Sequence, residues 1–424
     1  MNNDKVLRIL VVLPLYGGSL PVGRFCVSAL RAMGHLVEVF EAPDFHSAYN
    51  AIDDLKITAD RHQYIQNTFL QMLSQAVLAK VETFEPDMVL AMAQAPLTHQ
   101  ALKRMRKDNV KTAMWFVEDF RLFTYWQSFA PFYDVFAVIQ KEPFISELNK
   151  IGVNNVLYLP LAAQPDFHRP IELNTGDARK YGGDVSFMGA GYPNRRMAFR
   201  KLIHHGLKIW GSEWDGDHVL EPYVQLNGRR VSSEECVKIF NGSKINLNLH
   251  SSIHADQLVS GGDFINPRTF ELAACGAFQL VDRRTLMEDA FTEGELAHFD
   301  SLEDLDHKIR YFLANPEERQ AYASRGRERV LRDHTYTVRM QSLIDFTAET
   351  YPQWPAARSN DDVFGPDFPE ELKNDTMQLI KKLGLPVKVG FDDLVKAVRA
   401  QNGELSPIDT AILFLDEWKR IYSK

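Results

Sequence analysis

The chain has 424 residues, of which 45% are hydrophobic and 25% are charged, a composition typical of a folded globular protein with two or three domains. Its 48 basic and 56 acidic residues give a formal net charge of −8, which argues against general electrostatic binding of nucleic acid. Three cysteines without a Cys-x-x-Cys pair indicate a reducing compartment rather than a disulfide framework or a zinc site. The first apolar run is too short to span a membrane, so we expect a cytoplasmic protein without an integral membrane segment.

The first 162 residues alternate between apolar runs and helical stretches. Residues 6–13 are almost continuously apolar, as in strands buried on both faces of a parallel sheet. Gly17 and Gly18 follow, and either let a ligand approach the backbone or form a plain tight turn. Further strands are expected at 36–40, 88–92, 111–117, 132–139 and 155–159. Their alternation with helices predicts a doubly wound parallel sheet.

Charged residues follow two of these strands. Ligands bind such sheets beyond the carboxyl ends of the strands. Glu118 and Asp119 come just after one predicted strand, and Lys141 and Glu142 come after another. Each pair is a candidate for substrate contact. Helix-capping charges in a solvated loop would give the same pattern, so both interpretations stay open.

A second α/β pattern begins after a proline-rich, polar stretch that predicts a linker at 163–182. A predicted strand leads to Gly189, and the next helix starts with Asn194, Arg195 and Arg196. Arginines at a helix N-terminus oppose the helix dipole, and a bound anion would remove that objection. They therefore indicate a phosphate contact, with ordinary surface charge as the alternative.

The stretch 261–282 predicts a polar loop, a short helix and a buried strand. Asn266 is a good N-cap, and Pro267 suits the first helical position. Arg268 and Glu271 share one helix face near this N-terminus, whose free N–H groups suit a phosphate. The Glu could accept hydrogen bonds from a diol while the Arg holds an anion. A surface ion pair is the alternative.

Three further features complete the second half. Gly276 suits the position just past a helix end, where the backbone often adopts a left-handed conformation. His250 ends a predicted strand facing the polar loop, where it either contacts a ligand or serves the fold alone. Residues 351–424 predict a linker and then three helices without a catalytic pattern, which we expect to pack across the domains or to bind a protein partner. These helices are expected at 370–383, 391–401 and 406–422.

Five segments carry a family resemblance: residues 184–189, 224–228, 243–248, 266–276 and 325–332. They resemble glycosyltransferases of the GT-B fold, and most of all the CgeB-like, spore-maturation-type group. The resemblance covers residues 180–345 well and the N-terminal half loosely. It implies an α/β protein with two Rossmann-like doubly wound domains facing across a cleft, plus a helical C-terminal extension. The parts are expected at 1–162, 163–182 (linker), 183–350 and 351–424.

The resemblance also implies an activity. A sugar would pass from a nucleotide-diphosphate donor (a UDP-, GDP- or dTDP-sugar) to a hydroxyl of a glycan, protein or small molecule, with retention and without a metal or other cofactor. A nucleotide-sugar epimerase of the same fold, or a non-catalytic two-lobed ligand-binding protein, is the alternative. Asp215 and Asp217 spell the Asp-x-Asp of the other, metal-dependent transferase fold, but outside its context, so we assign no metal ligands.

In these relatives a Glu-x7-Glu pattern binds the donor: the second Glu holds the ribose and the first contacts the sugar. Glu271 matches the second position, and Asp263, a shorter carboxylate, stands at the first. For catalysis we expect Glu118 or Asp119 at the acceptor hydroxyl, Asp263 at the sugar and Arg268 at the leaving diphosphate. The residues expected to bind the donor are Gly17, Gly18, Gly189, Asn194, Arg195, Arg196, Arg230, His250, Asn266, Arg268, Thr269 and Glu271.

Overall fold

The computed structural model describes residues 6–252, 254–255, 258, 263–356, 369–385, 389–401 and 403–422. Gly261 and Gly262, which open the stretch expected to bind the donor, lie outside these residues, as does most of the linker expected before residue 370. Within the described part of the chain, no helix combines the length and the apolar character needed to cross a bilayer.

The N-terminal sheet contains six parallel strands in the order β2-β1-β3-β4-β5-β6. They are β1 Arg8–Val12, β2 Leu36–Phe40, β3 Met88–Met92, β4 Lys111–Phe116, β5 Val135–Val138 and β6 Val156–Tyr158. In β1, Ile9 and Val11 enter one apolar core, while Leu10 and Val12 enter another on the opposite face. Helices connect the strands: α1 Ser19–Ala32, α2 His46–Asn50, α3 Ala59–Phe84, α4 His99–Lys107, α5 Trp126–Phe129 and α6 Phe144–Lys150. A sheet buried on both faces explains the continuous apolar runs.

The second sheet contains five parallel strands in the order β11-β10-β9-β7-β8. They are β7 Gly183–Met188, β8 Leu207–Trp210, β9 Ser243–Asn248, β10 Gln279–Asp282 and β11 Ala297–Phe299. The helices of this half are α7 Thr175–Tyr181, α8 Pro193–Arg200, α9 Ser233–Gly242, α10 Pro267–Ala274, α11 Met287–Ala290, α12 Leu302–Ala314, α13 Pro316–Asp333 and α14 Tyr336–Thr350. Parallel strands place β7, β9 and β10 with their carboxyl ends at one edge, which is where the candidate site lies.

Two local expectations differ from the structure. The segment expected to be a linker contains α7, whose first turn is capped because Oδ1 of Asn174 accepts from the N–H of Asp177 at 2.9 Å. The sequence also predicts a short strand at 223–226, but the structure has two short 3-10 turns there, and Val224 makes an isolated bridge to Ile209. Pro222 lies in the first of these turns, where its fixed φ favours a helical start.

Helix α14 packs on the first half of the molecule, although the sequence placed it in a domain at 183–350. Its apolar residues Met340 and Leu343 share a core with Val22 and Cys26 of α1. The apolar face of α14 is therefore buried by the N-terminal domain. A helical pattern in the sequence identifies such a face but not the domain that covers it.

The chain passes between the two halves at two places that lie side by side. The N–H of Ala163 donates to the carbonyl of His334, and the N–H of Tyr336 donates to the carbonyl of Ala163, both at 3.0 Å. Arg339 adds a hydrogen bond of 2.7 Å from Nε to the carbonyl of Pro160. The outgoing and returning segments are thus paired with each other.

Three helices follow the described part of the second half, as the sequence predicts: α15 Glu370–Lys382, α16 Phe391–Arg399 and α17 Pro407–Tyr422. They bury an apolar core of their own, made of Leu379, Ile380, Leu394, Val395, Val398 and Ile412. Nζ of Lys396 lies 3.6 Å from Oε1 of Glu38 in β2, so this unit lies against the edge of the N-terminal sheet.

Candidate active site

Asn266 caps helix α10 at the edge where β9 and β10 end. Its Oδ1 accepts from the N–H of Thr269 at 3.0 Å, and its Nδ2 donates to Oδ1 of Asn248 at 2.8 Å. The predicted cap and the proline that follows it are both confirmed. Thr269 itself is fully buried, and its hydroxyl lies between Asn266 and Asn248, so its side chain supports the cap and does not reach a ligand. The helix start carries a partial positive charge that suits a phosphate.

Arg268 and Glu271 form an ion pair on the first turn of α10. Nη1 of Arg268 lies 2.7 Å from Oε2 of Glu271, and the two side chains are 23% and 13% exposed. The guanidinium also lies 5.1 Å from the ring centre of Phe240, which holds it against the domain. Among the described residues nothing donates a hydrogen bond to Oε1 of Glu271. This oxygen can therefore accept from a ligand.

His168 faces Glu271 from the segment that the sequence identified only as a linker. Its Nδ1 accepts from the N–H of Gln164 at 3.1 Å, which places the proton on Nε2, 3.9 Å from Oε1 of Glu271. Burial lowers the pKa of His168, against the pull of Glu271, and keeps the ring neutral at neutral pH. Composition gave no signal for this residue, because its role depends on a partner far along the chain.

His250 lies beneath the start of α10, with its side chain fully enclosed. The N–H of Asn266 donates to Nε2 of His250 at 2.9 Å, so the proton is on Nδ1, which donates to Oδ1 of Asp282 at 2.7 Å. Burial lowers the pKa of His250 despite the attraction of Asp282. Burial alone would raise the pKa of Asp282. The attraction of His250 and Arg284 for the carboxylate is stronger in sum, so the pKa of Asp282 is lowered. The sequence left open whether His250 contacts a ligand or serves the fold alone. Because both ring nitrogens are engaged within the protein, the geometry favours a structural role over the expected donor contact.

Arg195 lies in the first turn of α8, after the loop that begins at Gly189. Two of its three guanidinium nitrogens are hydrogen-bonded within the described residues. Its Nε donates to the carbonyl of Leu249 and its Nη1 to that of Ala190, each at 2.9 Å. Nη2 makes no hydrogen bond with any described residue. Burial lowers the pKa of Arg195 to about 10, so it stays charged at neutral pH. Gly189 makes this packing possible, because a Cβ there would lie 3.3 Å from Nη1 and 3.0 Å from the ring of Phe187.

Asn194 and Arg196, expected to bind phosphate, are engaged within the protein instead. The buried amide of Asn194 donates to the carbonyl of His250 at 2.9 Å and accepts from the N–H of Ser252 at 3.0 Å. The guanidinium of Arg196 donates to the carbonyls of three consecutive residues, 213–215. Both side chains therefore hold loops around the site, and phosphate contact by either of them stays a prediction.

Arg230, an expected donor contact, and the Asp-x-Asp sequence, which was assigned no role, both lie outside the first turn of α10. Arg230 is exposed, next to Arg229, which pairs with Glu235 at 2.6 Å. No described side chain connects Arg230 to the first turn of α10. Asp217 of the Asp-x-Asp sequence is buried, and both of its oxygens lie 3.1 Å from Nε of Arg200. Its carboxylate is thus held by an arginine, so it stabilises the loop.

Asp263 reaches the N-terminal domain. Its Oδ1 accepts from Nε2 of Gln140, just past β5, at 2.9 Å, and lies 3.8 Å from Nη1 of Arg121. Its Oδ2 is buried and has no hydrogen-bond partner among the described residues. A buried carboxylate oxygen of this kind is costly unless a donor reaches it. Sequence reasoning missed Gln140, which looked like an ordinary residue at a strand end.

Asp119 follows β4 in the N-terminal domain. Its Oδ1 accepts from the N–H of Arg121 at 2.8 Å. Burial lowers the pKa of Arg284, and Asp282, Asp263 and Asp119 pull in the opposite direction. Carboxylates of both domains thus act electrostatically on the buried Arg284, which the sequence did not single out and whose Nη1 lies 3.8 Å from Oδ2 of Asp282.

Glu118 lies beside this group with both carboxylate oxygens engaged. Oε1 accepts from Nε2 of Gln94 at 2.5 Å and Oε2 accepts from the hydroxyl of Tyr125 at 2.8 Å. Burial raises its pKa, against the effect of these two hydrogen bonds. Gly17, with φ +105°, and Gly18, which precedes α1, follow β1 at the same edge of the N-terminal sheet.

Sequence comparison identifies relatives of the second half and of most of the chain. A family model described as glycosyl transferase-like matches residues 194–345. The spore protein CgeB of Bacillus subtilis (strain 168) is 26% identical over 270 residues, covering 58% of this chain and 78% of CgeB. The match supports the resemblance drawn from the five sequence segments.

Solved structures match the fold over both sheets. HepE of Anabaena, in complex with UDP-glucose, superposes with a TM-score of 0.55 at 11% identity, covering 81% of this chain and all of HepE. Sucrose-phosphate synthase of Thermosynechococcus elongatus gives 0.55 at 13% identity, with coverages of 82% and 99%. A putative UDP-N-acetylglucosamine 2-epimerase of Listeria monocytogenes gives 0.52 at 11% identity, with coverages of 82% and 97%. The predicted two-sheet GT-B fold is confirmed, the chain is similar in sequence to CgeB, and its residues 194–345 match a glycosyl transferase-like family model.

Proposed function

We propose that the protein moves a sugar from a nucleotide-diphosphate donor to an acceptor hydroxyl, with retention of configuration and without a metal in the reaction. The donor binds at the carboxyl edge of the second sheet, and a carbohydrate or protein acceptor binds at the facing edge of the first. HepE was solved with UDP-glucose, which makes UDP-sugars the first donors to test. GDP- and dTDP-sugars complete the panel.

The observation that carries this proposal is the state of Glu271. One carboxylate oxygen is fixed by Arg268 at 2.7 Å, while the other accepts nothing from the described residues. A carboxylate with one oxygen fixed and one available is suited to a ribose diol, since each hydroxyl can donate to it. The buried hydrogen bonds of Asn266 and His250 set the position of the helix that carries it.

The diphosphate would lie between the start of α10 and the loop that leads from Gly189 into α8. Arg195 brings a charged guanidinium with one nitrogen unused by the described residues, and Arg268 lies on the first turn of α10. Fixed positive charge of this kind stabilises the negative charge that develops on a leaving phosphate. The reaction therefore needs no metal at the diphosphate.

At the reacting carbon, the bond to the donor phosphate breaks and a bond to the acceptor oxygen forms on the same face of the sugar. The acceptor proton passes to an oxygen of the leaving phosphate, so no protein base is required. Asp119 would orient the acceptor hydroxyl. Glu118 would position Gln94 and Tyr125, because both of its oxygens are already engaged.

The test begins with a thermal-shift screen of UDP, GDP, dTDP and CMP forms, since a ligand that binds only the folded state raises the melting temperature. Glu271→Ala should then weaken binding of the selected nucleotide at least about tenfold and reduce sugar transfer with it. Asp184→Ala is the matched control: Asp184 pairs with Lys244 at 2.7 Å in the same domain, but at the start of β7, on the opposite edge. It should behave like the wild type.

Product analysis separates the proposal from its rivals. A transferred sugar on an acceptor, or slow release of free sugar and nucleoside diphosphate without one, agrees with the proposal. An epimerised nucleotide-sugar as the sole product would contradict it. So would undiminished nucleotide binding and activity in Glu271→Ala.

A further inference from the structure

A histidine pair meets a carboxylate away from the donor edge. His204 and His205 lie in the short 3-10 turn Ile203–His205, which connects α8 to β8. Asp306 lies on α12, whose apolar face packs in the same core as Leu202. His205 precedes β8, whereas the donor residues follow β7 and β9, so the three residues take no part in the cleft.

The three side chains converge on one point. Nε2 of His204 lies 3.1 Å from Oδ1 of Asp306, and Nε2 of His205 lies 2.7 Å from the same oxygen. The three atoms lie within 4.8 Å of one another. Ligand atoms in a tetrahedral site with bonds of about 2.0 to 2.1 Å are about 3.3 Å apart. Small side-chain adjustments therefore suffice to place an ion between them.

We propose that His204, His205 and Asp306 bind a divalent transition-metal ion of the zinc type. Two imidazole nitrogens and one carboxylate oxygen are ligands that Zn²⁺ and Co²⁺ share, and water completes the coordination. Arg310, one turn further along α12, pairs with the other carboxylate oxygen of Asp306. This pairing orients the carboxylate so that Oδ1 faces the histidines.

The ion would join two segments whose residues His204 and Asp306 are 102 positions apart in the chain. It would tie the turn that follows α8 to the side of α12, and α8 carries Arg195 at its other end. Binding to the folded state alone would raise the melting temperature. The role is structural, and it is independent of the sugar-transfer chemistry.

The experiment uses the full chain without a polyhistidine tag, treated with a chelator and then dialysed. Titration with ZnCl₂ in a calorimeter should give one site per chain, and CoCl₂ should produce the visible absorption of a tetrahedral or five-coordinate ion. His204→Ala and Asp306→Asn should each weaken binding at least about tenfold, since loss of a ligand exceeds the effect of losing a supporting partner. His204 is 58% exposed, so its variant should fold normally.

His218→Ala is the matched control, because His218 also lies near a carboxylate, 3.5 Å from Glu221, but is 91% exposed and has no second histidine. It should bind the ion as the wild type does. Absence of binding in the wild type, or equal affinity in His204→Ala, would show that the cluster is only a pair of histidine–aspartate hydrogen bonds and would overturn the proposal.

Discussion

Gln140 and Asp263 join the two sheets through one buried hydrogen bond of 2.9 Å, from Nε2 to Oδ1, between residues 123 positions apart. Oε1 of Gln140 also accepts from the N–H of Phe120 at 3.0 Å, which fixes the orientation of the amide. The loop that carries Asp119 is thus connected to the segment that leads into α10. The two domains meet at this contact.

Asp263→Ala should reduce turnover more than it reduces nucleotide binding. Asp263 is the proposed contact of the sugar, whereas Glu271 is the proposed contact of the ribose. An interaction made with the reacting sugar affects kcat, so we expect a loss of at least about tenfold in kcat and less than about threefold in the Kd of UDP. Transfer kinetics and calorimetry of the same preparation measure the two quantities.

Asp289→Ala controls for a general loss of contact between domains. Asp289 pairs with Lys141 of the other domain at 2.8 Å, and both side chains are largely exposed. Exposed pairs contribute about 0 to 1 kcal/mol, so this variant should keep its activity. Equal losses of kcat and UDP affinity in Asp263→Ala would argue against a sugar contact.

Gly18→Ala tests whether a ligand approaches the backbone after β1. Gly18 has φ −71°, and no atom lies within 4 Å of an added Cβ, so the folded protein accepts the change without strain. Stability should stay constant or rise by about 0.4 to 1 kcal/mol. The KM for the donor should rise severalfold, because the methyl group occupies the space of the ligand.

The control is Gly390→Ala, which has φ −63° before α16 and whose nearest atom would be 3.8 Å away. Gly390 has a similar φ to Gly18 but lies in the C-terminal helical unit, so the KM of its variant should match that of the wild type. An unchanged KM in Gly18→Ala would leave a plain tight turn as the explanation for the two glycines.

His334 should make the fold sensitive to acid. Its Nε2 donates to the carbonyl of Ala290 and its Nδ1 accepts from Arg339, both at 2.7 Å, so the neutral ring fits. Burial, reinforced by Arg339, lowers its pKa from 6.5 to about 4. Between these values the unfolded chain binds a proton that the folded chain does not. Stability from this residue is therefore lost as pH falls below 6.5, by about 1.4 kcal/mol per pH unit until the folded pKa is reached.

Urea unfolding at several pH values across this window measures the slope. His334→Gln removes the titrating group and should flatten the slope, although other buried histidines such as His298 retain theirs. His307→Gln, on the exposed side of α12, should leave it unchanged. A slope in His334→Gln equal to that of the wild type would contradict the assignment.

The start and end of α10 were predictable because their determinants are local. Asn266 and Pro267 define the first turn, and Gly276, with φ +63°, follows the end of the helix. Ser232 and Glu235, three positions apart, predict a capping box at the start of α9, and the structure contains it. Each of these signals depends on residues within one helical turn, so the local sequence is sufficient to predict where the helix begins or ends.

The partners of the polar residues were not predictable, because they lie far away along the chain. Asn194 binds the backbone at 250–252, and Arg196 binds the carbonyls at 213–215. Within a polar segment of the sequence, no pattern distinguishes a side chain that binds the protein's own backbone from one that contacts a ligand. His168 and Gln140 were missed for the same reason, since each becomes informative only beside its partner.

The paired crossing at Ala163, His334 and Tyr336 has a mechanical consequence. Two chain segments joined by reciprocal hydrogen bonds should bend together and not independently. A single flexible tether would let the domains twist and slide. We therefore expect any relative motion of the two domains to follow a more restricted path than one tether would allow.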